Sequence, residues 1–249
     1  MTENSSTQAL KDAVIQARGY WHPFHEGLLN LDPGYLRAYL DFQDAPARSG
    51  LLEPKVREFI YIAVDGAVSH LYTPGLGRHI EMALEKGATP NEVLEVIQLT
   101  MLTTLDSFDA GLGVLAAELE RRGQMLAAPE GLDERREAHV ALTGAWPCFA
   151  DALAAVAPHL LEPVLAYEAA PYAGGHLTPK LREFIRIAIH ASPVAPQREA
   201  LARDIPRALD EGATPAEIAE VLALASAIAV HTCTFAVPAL VQAMQHGAP

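Results

Sequence analysis

The sequence predicts an all-α protein built from two tandem copies of one helical unit. An internal repeat holds a constant offset of 125 residues, and apolar residues recur at helical spacing in both copies. No alternating strand pattern runs for more than a few residues. With 249 residues, half of them apolar, the chain is long enough to bury a core of substantial size.

The repeat is visible as closely similar strings in the two halves. Residues 50–59 (GLLEPKVREF) match residues 175–184 (GHLTPKLREF) at seven of ten positions. Further matches at the same offset are GATP at 87–90 and 212–215, Trp21 with Trp146, Phe24 with Phe149, and Pro33 with Pro158. We therefore predict a first unit over residues 1–122 and a second over 133–249, joined by a short linker that contains Gly123, Pro129 and Gly131.

Proline and capping residues indicate where a helix begins in each copy. Pro54 and Pro179 suit a first helical turn, and Thr178 is a suitable N-cap for the second helix. Apolar residues then follow with a period of three and four. They are Val56, Phe59, Ile60, Ala63 and Ala67 in the first copy, and Leu181, Phe184, Ile185 and Ala188 in the second. Both helices are predicted to bury this face.

The two GATP strings predict the end of one helix and the start of the next. Gly87 and Gly212 are suited to C-terminal caps, and T-P-x-E at 89–92 and 214–217 forms a capping box. The segments that follow, 93–105 and 218–230, are apolar nearly all round. In a soluble protein this pattern predicts a central helix or an oligomer interface.

Composition excludes several classes of partner. The formal net charge is -13, with 31 acidic and 18 basic residues, so the surface would repel nucleic acids and anionic membranes. The polar N-terminus does not resemble a signal peptide, and the longest uncharged apolar stretch, 221–230, is too short to span a bilayer. We expect a cytoplasmic protein. Its two cysteines, Cys148 and Cys233, form no C-x-x-C motif, which predicts a buried structural thiol at each position.

The sequence resembles the carboxymuconolactone decarboxylase family, which also includes the alkyl hydroperoxidase D-like proteins. The resemblance rests on P-K-x-R-E-F at 54–59, on His79, and on A-L-x-x-G-A-T-x-x-E at 83–92. It implies an all-helical fold and assembly as trimers or hexameric rings of single units. A tandem chain could then form a homotrimer that imitates the hexamer. The peroxidase branch carries C-x-x-C before the histidine, and residues 69–75 (SHLYTPG) contain no cysteine, which argues against thiol redox chemistry.

Glu58 and His79 are the candidate catalytic residues. The resemblance matches them to the family's proton-relay positions, and a carboxyl group used for proton transfer is expected to have a pKa raised by burial. His79 follows Pro74-Gly75 and is predicted to begin a helix. The alternatives are structural: a glutamate that complements a helix dipole or pairs with an arginine, and a histidine that is simply hydrogen-bonded.

Five further residues are candidates for substrate binding. They are His70, Tyr72, Arg57, Arg78 and His231, with Arg57 or Arg78 as an anion clamp. The alternative for both arginines is that they are charged residues on the solvent-facing side of a helix, without a role in binding. The histidine pairs 70/79 and 22/25 lack a third ligand at suitable spacing, so we expect no metal and no other cofactor.

At three equivalent positions the copies exchange carboxylate for imidazole. The pairs are Asp65 with His190, His79 with Asp204, and Asp106 with His231. One explanation is compensation within each copy, an Asp-His-Asp set in the first and a His-Asp-His set in the second. Chance explains three positions equally well. Because the second copy also has Ala195 and Gln197 where the first has His70 and Tyr72, we expect chemistry to depend on the first copy.

The leading functional expectation is cofactor-independent decarboxylation of a small lactone or unsaturated carboxylic acid. It rests on the resemblance, and γ-carboxymuconolactone is the model for the substrate. The conjugated carbonyl of such a substrate accepts the electrons, so the protein needs only to desolvate the carboxylate, stabilise a dienolate and deliver a proton. The alternatives are a peroxide or disulfide reductase and a non-catalytic small-molecule binder.

Overall fold

The computed structural model describes residues 2–124 and 130–247, so part of the predicted linker, including Pro129, lies outside the described residues. Helices of the first half are α1 (Thr2–Arg18), α2 (Pro23–Leu31), α3 (Pro33–Ser49), α4 (Pro54–Gly66), α5 (Thr73–Glu85), α6 (Pro90–Met101) and α7 (Asp106–Arg121). Those of the second half are α8 (Leu132–Thr143), α9 (Ala150–Val156), α10 (Pro158–Ala173), α11 (Pro179–His190), α12 (Arg198–Asp210), α13 (Pro215–Ser226) and α14 (His231–Gly247). The part of the chain described contains no strand, which confirms the all-α prediction.

The helices repeat in the predicted register. Both bounds of α5 recur in α12 at an offset of 125, and α3, α4 and α6 begin 125 residues before α10, α11 and α13. Each copy also carries a short 3₁₀ turn, at Leu102–Leu105 and Ala227–Val230. The two-copy architecture is therefore confirmed. The unit boundaries at 122 and 133 stay predictions.

The predicted capping residues determine these bounds through local hydrogen bonds. Thr89 accepts a hydrogen bond from the backbone N–H of Glu92, whose side chain accepts one from the Thr89 N–H in return. Thr214 and Glu217 repeat this capping box. Gly87 has a φ of 88°, a left-handed conformation that glycine adopts without steric cost, so it ends the preceding turn.

Helices α4 and α11, which both begin with a proline, lie side by side at the centre of the molecule. Nearly every apolar side chain of each helix is buried. One core cluster joins Ile60 and Val64 of α4 to Ile187 of α11 and Val221 of α13. A second joins the opposite face of α4 to α6, α9 and α10. The central-helix interpretation of segments 93–105 and 218–230 is confirmed, since α6 and α13 pack on α11 and α4 respectively.

The outer helices of each copy pack against helices of the other copy. Helices α1 to α3 of the first copy form a core cluster with Val237 of α14, whereas α9 and α10 of the second copy pack on α7 and α6. Helices α2 and α14 approach closely at Gly27, because a Cβ atom there would lie 2.4 Å from Val237 Cγ1. The end of each copy is therefore covered by the start of the other.

Apolar side chains remain uncovered on the last helix of each copy. Val114 of α7 is 72% exposed and Phe235 of α14 is 68% exposed. The segment Pro215–His246 is long and apolar enough, judged by length and composition alone, to cross a membrane. Its first part, however, contains Val221 and Leu224, which belong to the central core, as expected of the core helix of a folded bundle.

Candidate active site

Glu58 and His79 are in direct contact. Nδ1 of His79 lies 2.6 Å from Oε2 of Glu58, and since a carboxylate can only accept, Nδ1–H is the donor. Lys86 donates to the other carboxylate oxygen. Glu58 lies on α4 and is 3% exposed, His79 comes from α5, and Lys86 is the C-cap residue of α5. The hydrogen bond fixes the imidazole orientation and leaves Nε2 for a group in the adjoining cavity.

The position of His79 in its helix differs from the prediction. Pro74 and Gly75 lie in the first turn of α5, and His79 is in the middle of the helix. Proline is tolerated in a first turn because its missing N–H has no partner there, so the Pro-Gly pair begins the helix. A Cβ atom at Gly75 would lie 2.2 Å from Oδ2 of Asp65, so a larger residue there would displace the Asp65 side chain.

The pKa of Glu58 is lowered, contrary to the expectation of a raised value. Burial acts to raise this pKa, but the hydrogen bond and charge of His79 and those of Lys86 outweigh it. Glu58 is therefore an ionised partner of His79. Asp65, two turns further along the same face of α4, is the carboxyl group with the raised pKa, which burial moves to about 7.

A buried cation adjoins this pair. The guanidinium of Arg18 lies against the rings of Tyr20 and Tyr61, 5.9 and 5.8 Å from their centroids, and Tyr61 stacks on His79 at 4.5 Å. No carboxylate of the described chain lies within ion-pair distance of Arg18, and its buried Nε has no hydrogen-bond partner. Arg18, Glu58, His79 and Lys86 line a small cavity of about 50 Å³.

A larger cavity of about 190 Å³ lies on the other side of His79. Its lining includes Tyr72 and Arg78 from α5 and its N-cap, and His231 from the start of α14. The His231 ring stacks on Tyr72 at 3.7 Å. The structure thus brings His231 of the second copy to the Glu58–His79 site of the first. Its predicted role in substrate binding stays a prediction.

His70 also belongs to this wall. Its Nε2 lies 2.8 Å from Nδ1 of His231, and Nε2 of His231 is 3.9 Å from Oδ1 of Asp65. Burial lowers the pKa of His70, and burial together with the neighbouring His70 and His79 lowers that of His231 to about 4. Both imidazoles are therefore neutral near pH 7.

The predicted clamp residues Arg57 and Arg78 already have partners. Arg57 donates to the carbonyl oxygen of Leu52 and borders the small cavity beside Glu58. Arg78 borders the large cavity, and its guanidinium lies 3.1 Å from Glu81 on the surface of α5. Their predicted role in substrate binding stays a prediction.

At the positions where the copies exchange carboxylate for imidazole, each buried group faces an oppositely charged type of side chain. Some of these partners belong to the same copy and others to the other copy. In the second copy His190 hydrogen-bonds to Asp204 at 2.5 Å, but its other nitrogen faces Asp106 of the first copy at 3.9 Å. Asp65 likewise faces His231 of the other copy. The predicted grouping of all three residues within one copy is wrong, because α7 and α14 cross to the opposite site.

The equivalent cavity of the second copy also has a volume of about 190 Å³, but its charges are paired internally. Its three arginines each meet a carboxylate. Arg186 contacts Asp204 at 3.2 Å, Arg203 contacts Asp109 at 3.1 Å, and Arg207 contacts Glu183 at 2.8 Å. Burial raises the pKa of Glu183, in contrast to Glu58. This cavity contains no free cation among the described residues that resembles Arg18.

Sequence reasoning missed Arg18, Tyr61 and Lys86. Glu58, Tyr61 and Asp65 are spaced by three and four residues, so the shared face of α4 was readable from the sequence. Arg18 could not be found in this way. It lies 40 positions before Glu58 in the sequence, and only packing of α1 on the bundle brings it to the site.

Comparison with known proteins gives two matches. A model of the carboxymuconolactone decarboxylase family matches residues 33–116, which include Glu58 and His79. A solved structure from Burkholderia xenovorans, provisionally described as a gamma-carboxymuconolactone decarboxylase subunit, is 32% identical with a TM-score of 0.89. The similarity covers 97% of this chain and 98% of that chain. Among curated proteins there is no significant match.

Proposed function

Because the chain belongs to the carboxymuconolactone decarboxylase family, we propose that it is a cofactor-independent decarboxylase of a small lactone or unsaturated carboxylic acid. The observation that supports this most is the Glu58–His79 pair at the wall of a 190 Å³ cavity. A cavity of this size accommodates a small organic acid.

The arrangement suits delivery of one proton. Loss of carbon dioxide leaves the electron pair of the broken C–C bond delocalised as a dienolate on the substrate's own carbonyl group. His79, protonated on both nitrogens, donates its Nε2 proton to the substrate carbon, and ionised Glu58 stabilises the imidazolium through Nδ1–H. Lys86 holds Glu58 in place, and solvent returns the proton to His79 after the product leaves.

Arg18 borders the small cavity next to the Glu58–His79 pair, and its charge would attract a substrate carboxylate toward that pair. It is a cation that lacks a carboxylate partner in a chain with a net charge of -13, and it shares a cavity with His79. A cation buried without a counter-ion is costly, so an anionic ligand would offset that cost. Of the predicted clamp residues, Arg57 borders the same small cavity as Arg18, and Arg78 borders the 190 Å³ cavity.

The direct test is release of carbon dioxide from a panel of lactone acids and unsaturated dicarboxylic acids. We expect at least one to be turned over by the metal-free protein. Binding of these acids, detected as a raised melting temperature, without turnover of any of them would instead support a non-catalytic binder.

Thiol chemistry is the rival reaction. The prediction that both thiols are buried is wrong, because Cys148 is exposed and Cys233 is only partly buried. Neither cysteine lines the cavities beside His79, and burial raises the pKa of Cys233, which disfavours the reactive thiolate. Replacing both with Ser is therefore expected to leave activity within about a few-fold of the wild type, provided that circular dichroism shows the fold is retained. Near-total loss in the folded variant would favour a thiol mechanism.

We further propose a homotrimer with pseudo-sixfold symmetry. The exposed apolar residues of α7 and α14 need cover, and the duplicated unit imitates a symmetric pair. Multi-angle light scattering at micromolar concentration is expected to give three times the chain mass. A stable monomer would contradict this, and Phe235→Glu, on α14, is expected to dissociate the assembly while α-helical content is kept.

A further inference from the structure

We propose that Asp65, His70 and His231 bind a divalent transition-metal ion, with Zn²⁺ the natural candidate. This inference does not depend on the proposed decarboxylation. Each residue offers one ligand atom, and the three atoms lie within 4.8 Å of one another. Two imidazoles and one carboxylate are a common ligand set for zinc and its neighbours in the first transition series.

The spacing of these atoms suits an ion at their centre. A tetrahedral ion with ligands at about 2.1 Å separates them by roughly 3.4 Å. Nε2 of His70 lies 2.8 Å from Nδ1 of His231, whereas the other ring nitrogen of His231, Nε2, lies 3.9 Å from Oδ1 of Asp65. Because one ion uses a single nitrogen of each ring, the relevant distance is the 4.8 Å within which one ligand atom from each of the three residues lies. Side-chain movements of roughly 1–1.5 Å would bring these atoms to tetrahedral separations.

Asp65 provides the second, independent observation. The residue is 1% exposed, and its Oδ2 atom is buried with no hydrogen-bond partner. Among the described residues no group donates a hydrogen bond to this carboxyl. Burying a carboxyl group without a partner costs free energy, and a bound cation would remove that cost.

In the second copy, the residues at the positions of Asp65 and His231 both have hydrogen-bond partners in the protein. His190 and Asp106 occupy the places of Asp65 and His231, at the same distance of 3.9 Å. There His190 bonds to Asp204, and Asp106 accepts a hydrogen bond from Gln197. Ala195 replaces His70, so a third ligand is missing. Only the first copy keeps three ligands and an unpaired carboxyl oxygen.

The surroundings hold the ligands in place. Tyr72 stacks on the His231 ring, which restricts its rotation, and Leu71 between His70 and Tyr72 has a φ of 47°, a conformation uncommon for a residue with a side chain. Because His231 also lines the 190 Å³ cavity, an ion with three protein ligands would keep its fourth position on the cavity side.

The test uses the full-length protein after chelator treatment. Titration with Co²⁺ is expected to produce the visible absorption of a low-symmetry site at one ion per chain, and calorimetry with Zn²⁺ is expected to give the same stoichiometry. His70→Ala and Asp65→Asn are each expected to lower the Zn²⁺ affinity by about 10²-fold or more. Asp106→Asn, at the equivalent position of the second copy, serves as the matched control and is expected to bind as the wild type does.

Melting temperatures separate loss of the site from loss of the fold. Zn²⁺ is expected to raise the melting temperature of the wild type and of Asp106→Asn, and to leave that of His70→Ala unchanged. Absence of Zn²⁺ binding at micromolar concentration, or binding that survives both His70→Ala and Asp65→Asn, would overturn the proposal. The contact between His70 and His231 would then be an ordinary hydrogen bond. None of these measurements uses turnover, so their failure leaves the proposed decarboxylation standing.

Discussion

Replacing His79 with Ala is expected to lower turnover by about 10²-fold or more, the usual scale for a group that transfers a proton. Its Nε2 side faces the cavity because Nδ1 is bonded to Glu58. Glu58→Gln is expected to cost a similar factor, since it keeps the shape of the side chain but removes the charge that stabilises an imidazolium. The measurement is kcat and KM on any acid that the substrate panel identifies.

The second copy supplies the control for this result. Glu183 is the counterpart of Glu58, but it contacts Arg207 and Arg186, and Asp204 takes the place of the histidine. Glu183→Gln is therefore expected to lower turnover far less than Glu58→Gln. The variants must have matched melting temperatures, because a buried glutamate can also contribute to stability. If Glu183→Gln abolished turnover and His79→Ala spared it, the working site would be in the second copy.

Replacing Asp204 with Asn is expected to destabilise the protein by about 3–5 kcal/mol. Asp204 is 0% exposed and holds two cationic or ionisable partners, His190 at 2.5 Å and Arg186 at 3.2 Å. Asn cannot neutralise Arg186, so the substitution leaves a buried guanidinium with only the more distant Glu183. Urea unfolding, with the slope checked for two-state behaviour, measures the loss.

A half-exposed ion pair provides the comparison. Asp109 contacts Arg203 at 3.1 Å, and both side chains retain contact with solvent, so Asp109→Asn is expected to cost no more than about 1 kcal/mol. If the Asp204 and Asp109 variants lost the same free energy of unfolding, the buried ion-pair network would contribute no more to stability than the half-exposed pair does.

The effect of Asp204 has a defined pH dependence. Burial acts to raise the pKa of Asp204, but the hydrogen bond from His190 and the charge of Arg186 hold it below its ordinary value. A carboxyl group with a lowered pKa in the folded state contributes stability that is present above its unfolded pKa and is lost as pH falls through the folded pKa. The unfolding free energies of the wild type and Asp204→Asn are therefore expected to begin to converge as pH falls below about 4, and to meet only below the lowered pKa of Asp204 in the folded state.

The helices were predictable from the sequence because their bounds depend on local interactions. A capping box joins Thr89 and Glu92 across three positions, Pro54 begins its helix, and Gly87 ends the one before α6. Because the sequence repeats at an offset of 125, each of these helix bounds is indicated twice. The pairing of Glu58 with His79 was suggested only through the family resemblance, since the 21 positions between them exceed the range of any helical periodicity.

Only the tertiary structure determined the contacts between segments that are distant in the sequence. The crossing of α7 and α14 to opposite sites, which placed Asp106 by His190 and His231 by Asp65, depends on how the outer helices pack. The predicted direction of the Glu58 pKa shift is wrong because burial and the two partners have opposite effects on this pKa, and only the positions of His79 and Lys86 determine which effect prevails. Helix formation depends on interactions between residues a few positions apart, so the sequence predicts it. The pKa of a buried group depends on its distances to charged partners, and those distances exist only in the folded chain.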